Sequence, residues 1–404
     1  MKDAIVLVES NTTTAELFIT AAREEHLEPV MIVVDPGRYP FLEKFNIDVF
    51  HADTNDLNSI IVCIGLIKHK YNVRGIGSSS EYYIEIAARA AHYFNLPASD
   101  PESVKRCRDK YEQRKTLSSS GIKSPLFYKV TGIKQCEELS AKIKYPVVVK
   151  PAFGSGSIGV KMCDDLEQVT EHCGALLAQK TNERGMPLEP KVLVEEYIDG
   201  PEYSVETFNG NIVGITKKYV TDPPCFIETG HDFPCDTLDE LTADEVKKTV
   251  LKALNALGLN WGPVHTELKI VNGEAIIIEV NPRLAGGFIP SLIHLSKGID
   301  LIKETIKQIA GGNVILNGDM NRYASIRFLI PQESGIFKNV ENLSEIKKTE
   351  GVYEIRLYKE FGTELKINGD FRDRAGHIIY YGDDGVDVRT HIDRLIKQLK
   401  IVVN

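Results

Sequence analysis

An excess of positive charge is what this 404-residue chain most plainly lacks: 48 Lys and Arg stand against 57 Asp and Glu, a formal net charge of -9. A general nucleic-acid surface needs clustered Lys and Arg, so that class is set aside, and any polyanion the chain holds must be met locally. No apolar stretch is long enough to span a bilayer, and Ala4–Val8 is too short for a signal-peptide core, which places the chain in the cytoplasm. The seven cysteines form no C-x-x-C, and an odd number spread through so long a chain fits reduced thiols better than a disulfide framework. Cys225, His231 and Cys235 match no common zinc spacing. Two phosphate-binding signatures are missing as well. The first apolar strand runs into Glu9-Ser10-Asn11-Thr12-Thr13-Thr14 and not into G-x-G-x-x-G, and no Walker A sequence occurs. Internal repeats and low-complexity linkers are absent.

With 43% hydrophobic residues the chain can bury several cores, and ordinary domain sizes suggest about two to four domains. Residues 1–105 alternate short apolar strands with helical stretches: Ile5–Val8, a helix near Thr14–Glu25, Val30–Val34, then Gly75-Ile76 before a helix over Tyr82–Phe94. This predicts a parallel α/β domain. A charged helix is predicted over Val104–Ser120 and ends at Gly121. Residues 106–330 hold the chemically loaded motifs, with a lid subdomain at about 125–205. Residues 331–404 form a β-rich tail with strands at Val352–Tyr358, Thr363–Ile367 and Gly376–Tyr381 and a closing helix at Val386–Lys400.

The strongest local pattern is His265-Thr266-Glu267-Leu268-Lys269-Ile270 followed, after Asn272-Gly273-Glu274, by Ala275-Ile276-Ile277-Ile278-Glu279-Val280-Asn281-Pro282-Arg283. A three-residue loop there keeps a constant index sum and sets Glu267 opposite Glu279. Leu268 and Ile270 then share a face with Ile276, Ile278 and Val280, while Glu267, Lys269, Glu279 and Asn281 share the other. Two carboxylates opposite one another repel unless a cation lies between them. Oxygen donors without obligatory Cys or His favour magnesium, with Glu267, Glu279 and Asn281 as ligands. Taken alone, the pair would read as a solvated hairpin face.

Upstream, Val147-Val148-Val149-Lys150-Pro151 is a β-branched strand ending in a lysine, and Gly154-Ser155-Gly156-Ser157-Ile158-Gly159 follows. Three glycines and two serines let backbone N–H groups and hydroxyls turn toward an anion. Lys110 stands ready as a second cation. Then Val194-Glu195-Glu196-Tyr197-Ile198 breaks at Gly200-Pro201 and resumes at Glu202.

Lys110, V-V-V-K-P, the Gly/Ser loop, V-E-E-Y-I-x-G-x-E and E-x-N-P-R, in this order and spacing, resemble the ATP-grasp superfamily over roughly residues 100–330. The resemblance implies an α/β and α+β multidomain fold: an N-terminal parallel α/β domain, the ATP-grasp core and a C-terminal β-rich subdomain. It implies ATP, with Lys110 and Lys150 on the phosphates and Gly154, Ser155, Gly156 and Ser157 closing over them. Glu195, Glu196, Tyr197 and Ile198 would meet the adenine and Glu202 the ribose. Glu267, Glu279 and Asn281 would hold Mg2+, or Mn2+ in its place, and Arg283 would face the transferred phosphate. Thr221–Pro234, Arg283-Leu284-Ala285-Gly286-Gly287 and Gly369-Asp370-Phe371-Arg372 look like the L-amino-acid ligase group. On that resemblance Glu228 and His231 lie near the reacting carboxylate, Gly286 and Gly287 offer backbone donors, and Glu81 anchors an amine. From the residues alone, Glu81 is a helix N-terminal charge after three serines, and His231 is a loop histidine satisfied by hydrogen bonds. The implied activity is ATP-dependent ligation of a small carboxylate to an amine, with a homodimer as the family expectation. A biotin-carboxylase-like or purine-pathway enzyme, or a non-catalytic ATP-binding module, is the alternative.

Overall fold

The computed structural model describes residues 1–11 and 14–404; Thr12 and Thr13, in the segment after the first strand, lie outside the described residues. The N-terminal sheet is parallel and contains Asp48–His51, Glu28–Val33, Lys2–Val8 and Tyr71–Gly77 in that spatial order. Its central strand Lys2–Val8 is buried along Ala4–Val8, as a parallel strand covered on both faces must be. Helix Ala15–Glu24 covers one face, and Leu57–Ile67 and Ile84–Tyr93 cover the other.

The charged segment after Asp100 is two helices, Pro101–Arg108 and Lys110–Ser119, where one was expected. Asp109 adopts an extended conformation that ends the first helix, and its carboxylate caps the second by accepting from Tyr111 N at 2.9 Å. The break sets Lys110 at the start of a new helix, so its side chain turns into the centre of the molecule.

The glutamate-rich segment that pauses at Gly200-Pro201 changes sheet there. Val192–Glu196 lies in a four-stranded antiparallel sheet with Phe127–Val130, Val147–Pro151 and Lys161–Cys163. Glu202–Phe208 lies in an eight-stranded sheet whose order is Glu274–Asn281, Pro263–Val271, Glu202–Phe208, Asn211–Val220, Glu228–Phe233, Tyr323–Leu329, Gly376–Gly382 and Val352–Leu357. This larger sheet packs one face on helix Glu240–Leu257, burying Val246, Val250, Leu254 and Leu257 against Leu268, Ile277 and Val280. Burial of about 25 cal/mol per Å2 of apolar surface makes that face the main fixture of the hairpin. The closing helix is Gly385–Gln398, followed by a short strand Ile401–Val403.

The acidic hairpin forms, with a shorter loop than expected. Val271 pairs with Glu274, so the turn is Asn272-Gly273 alone, both residues at positive φ (52° and 79°), a two-residue turn for which Asn-Gly is well suited. That turn starts the ladder one residue out of the expected register. A bulge at Ile278 restores it: Leu268 pairs with Ile277, whereas Glu267 pairs with Glu279. The apolar face is corrected accordingly. Ala275, Ile277 and Val280 are buried with Leu268, while Ile276 and Ile278 are not in that core.

Candidate active site

The two sheets and the N-terminal domain enclose a cleft of about 1070 Å3. Every residue singled out from the sequence lines it: Lys110, Lys150, the loop Gly154–Ser157, Glu195–Ile198, Glu202, Glu228, His231, Glu267, Glu279, Asn281, Arg283, Gly286, Gly287 and Glu81. Residues from strands, loops and helices far apart in sequence thus converge on one space.

In the four-stranded sheet, Lys150 and Glu195 face each other from paired strands, Nζ 2.5 Å from Oε2. Arg114 joins them. Its Nε lies 2.8 Å from Glu195 Oε1 as an ion-pair contact without hydrogen-bond alignment, and its Nη2 donates to the carbonyl of Ile278. Burial pushes the Lys150 ammonium below its usual range. For Glu195 burial acts to raise the carboxyl, but Arg114 and Lys150 outweigh it and hold the group ionised. The Glu196 side chain turns away, accepting from Leu126 N, and the carbonyl of Ile198 accepts from Lys269 Nζ at 3.0 Å.

Lys110 Nζ lies 2.9 Å from Glu279 Oε1 and donates to the carbonyl of Gly154 at 3.1 Å. It therefore links the hairpin to the Gly/Ser loop. Gly156, Ser157 and Gly159 in that loop are at positive φ, and a Cβ on Gly156 would stand 2.4 Å from the Phe371 ring. The loop is closed on the C-terminal tail.

Opposite Glu279, Glu267 accepts from Lys218 Nζ at 2.7 Å and from His265 Nε2 at 3.0 Å. Lys218 is buried and also lies 3.0 Å from Glu202 and 2.7 Å from Glu228, so one ammonium serves three carboxylates. Burial opposes its charge, yet those carboxylates raise it well above the usual lysine range. His265 Nδ1 donates to Glu206 at 2.9 Å; burial disfavours the imidazolium, but Glu206 and Glu267 prevail and raise it to about 9.

Glu81 precedes helix Ile84–Tyr93 and is no cap: it is buried and accepts from Arg108, from Arg283 Nε at 2.8 Å and from Ser155 Oγ at 2.8 Å. Burial acts to raise its carboxyl, but Arg283, Arg108 and Lys110 bring it down to about 2. Glu228 is held by Lys218 and by Arg374, whose Nε donates to the Glu228 carbonyl at 3.1 Å. His231 is 1% exposed, 3.7 Å from Glu228, and neither ring nitrogen has a hydrogen-bond partner. It is not the satisfied loop histidine that the residues alone suggested. Burial lowers it to about 3, so the imidazole is neutral. A Cβ on Gly287 would reach to 2.4 Å from its Nε2.

Arg108, Arg114, Glu206, His265 and Arg374 were not assigned from the sequence, and Lys218, with Lys217, was open there between approaching a phosphate and being solvated. A usable signal existed for part of this set. Glu202-Ser204-Glu206 and His265-Glu267-Lys269 alternate polar residues on strands whose other face is apolar, and Glu267 pairs with Ser204 in register.

Among the described residues no group of three or more His, Cys, Asp or Glu is arranged to hold a metal. The donor set nevertheless fits magnesium. Glu267 and Glu279 are opposed oxygen donors with buried Asn281 beside them, and each carboxylate already pairs with a cation, Lys218 or Lys110. Magnesium commonly takes one or two carboxylates and completes its shell with water and substrate phosphates.

A family model described as ATP-grasp domain matches residues 143–291, and one described as L-amino acid ligase C-terminal domain 2 matches residues 327–404. The uncharacterized protein y4rH of Sinorhizobium fredii is 32% identical over 399 residues, 99% of this chain and 83% of that protein. The alanine–anticapsin ligase of Bacillus subtilis (strain 168) is 25% identical over 300 residues, 68% of this chain and 63% of that protein, so the match spans less than two thirds of that relative. An L-amino acid ligase structure from Bacillus licheniformis superposes with a TM-score of 0.83 at 22% identity over 100% of this chain and 99% of that one, a likeness of fold. The chain thus contains an ATP-grasp domain over residues 143–291 and an L-amino acid ligase C-terminal domain over residues 327–404.

Proposed function

We propose that this chain is an ATP-dependent carboxylate–amine ligase that joins small substrates, amino acids first among them, through an acylphosphate with release of ADP and phosphate. The observation that carries the reading is the pairing of Glu267 with Glu279 beside Asn281 and Arg283, in one cleft with Lys110 and Lys150.

In this reading Lys110 and Lys150 neutralise ATP phosphates and the Gly154–Ser157 loop covers them. Glu195, Glu196, Tyr197 and Ile198 bound the adenine pocket, with Glu195 acting by holding Lys150 in place. Glu202 takes the ribose. Magnesium, or manganese, held by Glu267, Glu279 and Asn281 supplies charge neutralisation of the phosphates. Arg283 stabilises the charge that develops on the transferred phosphoryl group, and the protein otherwise acts by positioning. The substrate carboxylate attacks the γ-phosphorus, ADP leaves, and the amine then displaces phosphate from the acyl carbon. Neutral His231 faces the reacting carboxyl beside Glu228 and can exchange a hydrogen bond with it. Gly286 and Gly287 line the acyl end with backbone, and Glu81 orients Arg283 and receives the amine. Residues 1–105, 106–330 with a lid at about 125–205, and 331–404 serve as the working units.

The L-amino acid ligase domain over 327–404 supports this reading over a biotin-carboxylase-like one. The test is release of ADP and phosphate from ATP and Mg2+ with amino acids singly and in pairs, and mass spectrometry of the products. Turnover that needs two amino acids and yields a dipeptide is the expected result. AMP in place of ADP would reject the acylphosphate route.

A further inference from the structure

The Glu279 strand is the outermost of the eight-stranded sheet, so among the described residues its far edge has no partner strand. Its backbone groups are met by side chains and loop. Val280 N donates to Gln113 Oε1 at 2.9 Å, and Gln113 Nε2 donates back to Val280 O at 2.8 Å. Arg114 donates to the carbonyl of Ile278, and Ile277 N donates to the Lys123 carbonyl at 2.9 Å. Gln113 and Arg114 are both wholly buried, on the helix that Lys110 begins.

The residue so gripped is the bulge. Leu268 pairs with Ile277, so an unbulged ladder would continue as Glu267 with Ile278 and Thr266 with Glu279. Side chains alternate faces along a strand, and a slip of one residue sends each to the opposite side. Thr266 is fully buried, so Glu279 would then turn away from Glu267 and the cleft. The bulge is what returns it, and bulges commonly serve to re-aim a side chain beside an active site.

We infer that Gln113 and Arg114 are positioning residues that lock the Ile278 bulge and thereby aim Glu279 at the magnesium nucleotide. The inference rests on the magnesium reading given above. The Gln113 side-chain amide hydrogen-bonds to the backbone of Cys107 and Val280 and does not line the cleft, so its substitution probes register without removing a group that faces nucleotide.

The experiment is titration calorimetry of ADP binding to the full chain, with and without Mg2+, for wild type, Gln113→Met, Arg114→Lys and the control Leu117→Ala. Leu117 is buried on the same helix in the core shared with Ile277 and Val280, so it tests loss of apolar packing there without loss of a side-chain hydrogen bond. Unfolding midpoints are recorded in parallel. In Gln113→Met the gain in ADP affinity on adding Mg2+ falls at least tenfold, whereas metal-free affinity stays within about threefold and Leu117→Ala keeps the wild-type gain. A full magnesium gain in Gln113→Met overturns the inference and leaves the magnesium reading standing. A wild type whose ADP affinity ignores Mg2+ overturns both. If Gln113→Met does not fold, Arg114→Lys decides: it can span to Glu195 or to Ile278 but not both, and an undiminished magnesium gain in it overturns the inference.

Discussion

Arg283 at the end of the acidic hairpin donates through Nε to Glu81 of the N-terminal domain at 2.8 Å, so a carboxylate from the first domain holds a guanidinium that faces the cleft. Arg283→Ala removes one positive charge but leaves Glu81 paired with Arg108 and hydrogen-bonded to Ser155. ATP binding is expected to stay within about threefold of wild type while ligation falls by 100-fold or more, since removing a donor to developing charge costs about 3–4 kcal/mol. Fluorescence titration of a nucleotide analogue beside product formation checks both halves. A pure binding defect would contradict the role given to Arg283.

Glu279→Gln removes the carboxylate opposite Glu267 but keeps shape and hydrogen-bonding capacity. ADP formation should vanish with the fold intact, read by circular dichroism and unfolding midpoint. Unchanged turnover would sink the metal assignment.

The neutral imidazole of His231 makes stability depend on acid. Its folded-state value of about 3 lies below the ordinary 6.5, so the unfolded chain binds a proton that the folded chain refuses. Stability is therefore full above pH 6.5 and declines at about 1.4 kcal/mol per pH unit as pH falls toward 3. Between pH 6.5 and 5 this is roughly 2 kcal/mol. Urea midpoints of wild type and His231→Leu at those two pH values should differ in slope, with the variant flatter. Parallel slopes would show that the folded chain protonates His231 freely.

Gly287→Ala meets two obstacles: φ of 58°, which costs an alanine of order 1 kcal/mol, and a Cβ 2.4 Å from His231 Nε2. The imidazole must move, so ligation should fall more steeply than ATP binding. Gly286→Ala is the contrast, because nothing lies within 4 Å of its Cβ. Equal kcat for the two variants would count against the placement of His231.

The alternation of strands and helices and the Glu267–Glu279 pairing were legible because both rest on local periodicity, whereas the order of the cationic, glycine-rich and acidic motifs was legible as a family resemblance. The turn was misread, since Asn272-Gly273 and the Ile278 bulge shift the register twice and the two shifts cancel at Glu279. What stayed hidden has a different origin. In the sequence Lys218, beside Lys217, reads equally as a phosphate contact or as a solvated lysine, and only the assembled strands bring Glu202, Glu228 and Glu267 around it. Arg114 and Arg374 reach carboxylates that lie 81 and 146 positions away in the chain. Such pairings depend on tertiary assembly, and no spacing rule encodes them.

The eight-stranded sheet carries Glu202, Lys218, Glu228, Glu267 and Glu279 together with the strands Gly376–Gly382 and Val352–Leu357 of the tail. A single hydrogen-bonded ladder has no seam along which it can slide, so this part of the cleft is a fixed floor. Lys150, Glu195 and the Gly/Ser loop belong to a different sheet. The contacts that join the two include the hydrogen bond from Lys110 to the Gly154 carbonyl and the approach of the Phe371 ring to Gly156, so any opening of the cleft along the smaller sheet has to break them.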